Sequence, residues 1–169
     1  MANRLLRLFR HRLMDDGDAR RLLGPGALER IAQRVAASER HHGGEIRVCV
    51  EGGLPLSYVW RDATPRERAL TMFGKLGVWD TEANNGVLIY LLLADHQIEI
   101  VADRGIDRLV EAGRWKAIAD DLGAACRAGS FEAGINHAID AVDVLLVRHF
   151  PLQQDETNPN ELPDEPAVH

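Results

Sequence analysis

Apolar and polar residues alternate through Glu45-Ile46-Arg47-Val48-Cys49-Val50, a β-branched stretch that predicts a strand with one better-buried face. Between Val87 and Leu93 the alternation disappears, and the run is apolar on both faces, as in a central strand. Asn84-Asn85-Gly86, tolerant of positive φ, forms the turn leading into it. Full burial of four of its side chains, at about 2 kcal/mol each, would supply about 8 kcal/mol of gross burial free energy. Asp95-His96 is a tight connection to Gln97–Ala102, an alternating strand expected to pair antiparallel with its predecessor.

Helical spacing occupies the intervals. Leu5, Leu8, Phe9 and Leu13 share one face of an N-terminal segment, with Arg4, Arg7 and Arg10 elsewhere on it. Asp15-Asp16-Gly17-Asp18 interrupts the pattern and reads as a solvated turn, because no acid follows at the late position a calcium loop requires. Gly24-Pro25-Gly26 opens a helix bearing Leu28, Ile31, Ala32 and Val35, which ends before Gly43-Gly44. Thr64, Pro65 and Glu67 form a capped helix start, and Leu70, Phe73 and Leu76 are expected to face the core. Asp107 is expected to cap a short helix stopped by Gly113. Trp115, Ile118, Ala119, Leu122 and Cys126 mark another helix, and Ser130 is expected to cap the last, whose stripe runs from Phe131 to Phe150.

The order helix, strand, helix, strand, strand, helices predicts an α/β fold: a three-layer α/β/α sandwich around a small mixed sheet. Residues 1–24 form a basic amphipathic arm, residues 25–150 the α/β domain, and residues 151–169 an acidic, proline-containing tail expected to be disordered. With 169 residues and 46% apolar content the chain suits one domain. The formal charge of −6 is concentrated in that tail, where Asp155, Glu156, Glu161, Asp164 and Glu165 meet no Lys or Arg. The remaining body is nearly neutral and offers no broad positive field, which argues against nucleic acid as a partner. No apolar run is long enough for a transmembrane segment, and the arginine-interrupted N-terminus lacks the core of a secretory signal, so a cytoplasmic location, peripheral to a membrane at most, is expected. Cys49 and Cys126 sit inside apolar patterns as buried small hydrophobes.

Val78-Trp79-Asp80-Thr81-Glu82, Asn85-Gly86-Val87-Leu88-Ile89 and Val101-Ala102-Asp103-Arg104-Gly105-Ile106 together resemble the TPM domain family, over roughly residues 25–150, with His149-Phe150-Pro151 resembling its short, cytosolic branch. The resemblance implies the same fold but several jobs. Similar proteins include thylakoid-lumen proteins credited with acid phosphatase activity and divalent-cation binding, bacterial membrane-anchored proteins, and an animal receptor accessory subunit. This chain has Asn84 where many relatives have Asp, and Asp103-Arg104-Gly105 where many have Gly-x-Gly.

Hairpin geometry brings the end of the third strand beside the start of the second. Asp103 should therefore approach Asn84 and Asn85, with Asp80 on the preceding loop and Glu45 at the same rim if the first strand is parallel. Two carboxylates about 5 Å apart at an effective dielectric near 20 repel by about 3 kcal/mol. A hard cation, Mg²⁺ or Ca²⁺, held by Asp80, Asn84, Asn85, Asp103 and, less directly, Glu45 would offset this; so would Arg104, Arg108 or loop backbone. His41-His42 and His96 are read as surface residues. Two functional readings follow. One is a binding or adaptor module whose Arg4, Arg7 and Arg10 engage a protein or an anionic membrane surface. The other is a weak, divalent-cation-dependent phosphatase acting on phosphomonoesters through Asp80, Asn85 and Asp103.

Overall fold

The computed structural model describes residues 2–153 and 156–169, and side chains from Arg7 onward; the side chains of Arg4 and Leu5, and all of Asp155, lie outside the described residues. Strands β1 (Glu45–Glu51), β2 (Gly86–Leu92), β3 (Gln97–Ala102) and β4 (Ala167–Val168) form one mixed sheet in the order β3-β2-β1-β4. β1 runs parallel to β2 with Glu45 opposite Gly86, and β3 runs antiparallel to β2 with Ala102 opposite Val87.

Helices cover both faces, as the expected sandwich requires. Ile46, Val48, Val50, Val87, Ile89 and Leu91 point to one side. There they meet α2 (Asp16–Leu23), α3 (Ala27–Ser38), α7 (Arg114–Arg127) and α8 (Phe131–His149). Cys49, Leu88, Tyr90, Leu92 and Val101 point to the other side, toward α4 (Leu56–Trp60) and α5 (Pro65–Lys75). Every residue of β2 is buried, which makes it the central strand its composition predicts.

Several local expectations are corrected. Asp15 and Asp18 close a capping box, each side chain accepting from the other's backbone N–H at 3.0 Å, so the acidic stretch starts α2 rather than forming a free turn. In α5 the capping box of Thr64 and Glu67 is present, but Arg68, Ala69 and Met72 are buried while Leu70 is exposed. That rotation lets Arg68 reach Glu51 of β1. Asp103, not Asp107, caps the short α6 (Arg104–Asp107), and Asp107 accepts from Trp115 Nε1 instead. Ser130 precedes α8 without a side-chain cap bond.

The largest difference is the tail. Ala167 and Val168 pair in parallel with Cys49 and Val50, His169 exchanges backbone bonds with Val50 and Gly52, and Leu162 is buried. The cause lies on β1, whose supposedly open face carries buried Glu45 and Arg47. The tail backbone supplies their partners: Glu161 and Leu162 N–H groups donate to Glu45, and Arg47 donates to the carbonyls of Pro163 and Glu165.

At the start of β2, the chain passes so close over Gly86 that an added Cβ would overlap the Val78 carbonyl oxygen. Gly86→Ala is therefore expected to destabilise the fold by about 1–3 kcal/mol, measured by urea unfolding. An unchanged midpoint would show that the 78–81 loop yields freely.

Candidate functional site: the amide and acid rim

The predicted rim residues share an edge of the sheet but not a common environment. Asp103 donates its backbone N–H to Gly86 O at 2.8 Å, which docks the end of β3 against the start of β2. Gly105 and Ile106 then pack on the Asn84 carbonyl, with the Ile106 N–H at 3.3 Å from it. Asn84 has φ +52° and an exposed side chain. Asp80 is exposed as well. Glu45 does reach the rim, but both its oxygens accept tail N–H groups at 3.1–3.2 Å. Burial pushes the Glu45 carboxyl above the ordinary range, against those hydrogen bonds.

Asn85 and Asp103 remain. Asn85 is 1% exposed; its Nδ2 donates to Gly43 O at 2.8 Å and its N–H to Thr81 Oγ1 at 3.1 Å, leaving Oδ1 without a donor. Asp103 is 8% exposed; Oδ1 accepts from Arg104 N at 2.6 Å, and Oδ2 is likewise without a donor. Asp103 makes the backbone bond to Gly86, and Asn85 is the residue before Gly86. Asn85 Oδ1 and Asp103 Oδ2 are two of five buried side-chain oxygens among the described residues that lack a protein donor, and each such group calls for a water, an ion or a proton as partner. Among the described residues no three His, Cys, Asp or Glu side chains form a metal-binding group, so the rim offers one carboxylate and one amide.

Behind the rim lies a cluster that sequence reading missed. His42 is wholly buried, contrary to its reading as a surface residue, whereas His41 is exposed. Ser38 Oγ donates to Asp143 Oδ1 at 2.7 Å and lies 3.0 Å from His42 Nε2; His42 Nδ1 faces Gly44. Burial lowers the His42 pKa, Asp143 opposing only in part. The serine hydroxyl is enclosed and committed to Asp143, so the trio packs α3 against α8 rather than presenting a nucleophile. Gly44 was the available signal of close packing here, since a Cβ on it would overlap Leu146 of α8.

The arm sits at the opposite end of the sheet. α1 (Ala2–Leu13) docks through His11, whose Nδ1 accepts from Leu54 N at 2.9 Å, leaving Nε2 to donate to Asp95 at 3.0 Å. Arg7 binds Asp95, Asp62 and the Ala63 carbonyl, and Arg10 binds the Ala94 carbonyl. Burial pushes the Asp95 carboxyl up, but hydrogen bonds from His11 and Arg7 outweigh it and hold it below the usual range. Two of the three arginines read as partner contacts are thus engaged within the molecule. Arg4 lies outside the described residues. Trp79 is exposed, its indole N–H directed to Gly74 O.

A four-stranded mixed sheet between two helical layers, with a buried Asn-Gly entry to its central strand, defines the class: a small α/β/α sandwich domain. The TPM domain profile matches residues 17–145, and the chain belongs to the TPM domain family. Its fold is similar to the NMR structure of the BA42 protein from the psychrophilic bacterium Bizionia argentinensis, with TM-score 0.72 and 26% identity over 85% of this chain and 93% of that one. It is also similar in fold to the N-terminal domain of a protein from P. gingivalis, with TM-score 0.59 and 22% identity over 79% and 83% of the two chains. No curated protein matches the sequence. No helix among the described residues is long and apolar enough to cross a membrane.

Proposed function

We propose that this TPM domain is a binding module whose rim takes a hydrated divalent cation through Asn85 and Asp103, rather than a hydrolase. The observation that carries this reading is that two residues at this end of the β2–β3 pair each hold a buried oxygen without a donor, Asn85 Oδ1 and Asp103 Oδ2. A single carboxylate with an amide suits Mg²⁺, which keeps several of its waters and needs few protein ligands; Ca²⁺ demands a fuller oxygen shell. Asp80 and Asn84, exposed on the loop, would reach such an ion only through that water. The bound ion would offset the cost of an unpaired buried carboxylate, and the loops 78–85 and 103–107 would stiffen around it.

The test is thermal unfolding of the full chain during Mg²⁺ and Ca²⁺ titration. Mg²⁺ at ten times its Kd should stabilise by about 1.4 kcal/mol and raise Tm by about 3–6 °C. Asp103→Asn, which retains the cap acceptor, should remove that rise. A Tm insensitive to both ions, or a rise that survives Asp103→Asn, rejects the rim as a cation site. Cation-dependent phosphomonoester turnover lost in Asp103→Asn would instead assign the phosphatase reading. Association through the arm is tested separately, by deleting residues 1–20 and assaying anionic vesicle binding.

A further inference from the structure

A pocket of about 120 Å³ opens at the end of the sheet away from the rim, where the β2–β3 hairpin meets α7, α8 and the α1–α2 junction. Met14, Leu93, Ile98 and Phe131 give it an apolar lining. Burial pushes the Cys126 thiol up to about 11, so this residue lines the pocket as a neutral group. Gly123 forms part of the wall although it lies inside α7, where glycine costs about 1 kcal/mol relative to alanine. A Cβ there would project toward Ile98 Cγ1 and stand 3.3 Å from Arg127 Nη1. The guanidinium thus folds back over the helix at the mouth of the pocket.

Two cationic or protonatable side chains, Arg127 and His96, line this pocket, and no carboxylate lines it. Neither side chain has a hydrogen bond or ion pair with a described residue; His96 uses only its backbone N–H, to Leu93 O. An apolar interior with an exposed guanidinium that has no ion-pair partner among the described residues complements a molecule with a hydrocarbon end and an anionic end. Size limits the choice: a dry protein cavity of about 150 Å³ holds benzene, so this pocket admits a hydrocarbon of about four or five carbons.

We infer that this pocket binds a small aliphatic carboxylate, its chain among Met14, Leu93, Ile98 and Phe131 and its carboxylate against Arg127. The site is independent of the cation rim, which lies at the other end of β2.

Titration of the isotope-labelled full chain with pentanoate, followed by amide NMR shifts, tests it. Saturable shifts centred on Gly123, Cys126 and Phe131 are expected, with a Kd on the order of 1 mM. The matching alcohol, 1-pentanol, should bind about tenfold more weakly, and Arg127→Gln should weaken pentanoate by about the same factor while leaving the alcohol unchanged. Gly123→Leu should fill the space and abolish both shifts, with circular dichroism confirming the fold. Arg127→Gln alters an exposed side chain, so the test stands even if Gly123→Leu fails to fold. Absence of saturable shifts at these residues overturns the site; equal binding of alcohol and carboxylate, or an Arg127→Gln variant that binds pentanoate as tightly as the parent, overturns its anion preference and with it the proposal.

Discussion

Arg68→Ala is expected to destabilise the protein by about 3–5 kcal/mol, because it leaves Glu51 charged and buried without its cation. Arg68 Nε lies 2.9 Å from Glu51 Oε2 and its Nη2 donates to Oε1, a two-pronged contact between α5 and β1 with both side chains almost fully enclosed. Tyr90 Oη donates to Glu51 Oε2 at 2.6 Å, completing the carboxylate's partners. Burial lowers the Arg68 pKa, but the hydrogen bonds and charge of Glu51 outweigh it and hold the guanidinium above its ordinary range. Burial and Glu51 together push the Tyr90 hydroxyl up, keeping it a donor. Urea unfolding should therefore rank Arg68→Ala well above Tyr90→Phe, which removes one neutral donor at about 1–2 kcal/mol. Replacing both charges together, Glu51→Leu with Arg68→Met, in a Tyr90→Phe background that leaves no buried hydroxyl orphaned, should recover most of the loss, since apolar groups of similar volume avoid the desolvation cost. A combined variant no better than Arg68→Ala would show that the pair itself, rather than the orphaned charge, holds the two elements together.

That buried pair also explains why one part of the architecture was legible and another was not. Val87–Leu93 admits no reading except an interior strand, and Thr64-Pro65 with Glu67 announces a helix start by local chemistry alone; both are found. Periodicity failed for the inward face of α5 because it ranks Leu70 above Arg68, and only the position of Glu51 across space reverses that order. The same blindness hid the tail. Glu45 and Arg47 alternate with apolar residues exactly as solvent-facing positions would, so nothing local says that a distant backbone must cover them. At the rim, hairpin topology correctly placed Asp103 beside the Asn84-Asn85-Gly86 turn, because antiparallel register makes that contact unavoidable. It could not separate Asn85 and Asp103, which are buried, from Asp80 and Asn84, which are exposed, since burial there depends on the loops above the sheet. The arm's arginines followed the same rule: helical spacing shows a basic face, and the carboxylate and carbonyls that engage it lie in the β2–β3 turn and the loop before α5.

Between pH 6.5 and 9 the protein is expected to lose about 3 kcal/mol of stability, and Glu39→Gln should remove most of that slope. Glu39 is 4% exposed at the end of α3; Oε1 accepts from Ile46 N at 2.8 Å, and Oε2, like Asp164 Oδ1 on the tail, has no donor. Burial raises the Glu39 carboxyl from 4.5 to about 9, the Ile46 N–H opposes, and the negative charges of Glu45 and Asp164 raise it further. A proton held on Glu39 supplies the donor this acceptor-rich corner lacks. In the folded chain Glu39 keeps that proton at neutral pH; in the unfolded chain it has lost it above 4.5. The folded state therefore binds more protons, and stability falls by about 1.4 kcal/mol for each pH unit through this window. Glu45, raised in the same direction by burial, contributes with the same sign as pH rises above 4.5. His42 works the opposite way: its folded pKa is lowered from 6.5, so its contribution is lost as pH falls below that value and flattens the acid side of the profile without touching the alkaline side. Glutamine keeps the acceptor for Ile46 and carries a permanent donor, so the variant should match the parent near pH 6 and exceed it by about 2–3 kcal/mol at pH 8.5. Urea midpoints measured across this range decide the matter: a parent profile that is level from pH 6.5 to 9, or a variant that declines in step with it, would place the proton elsewhere.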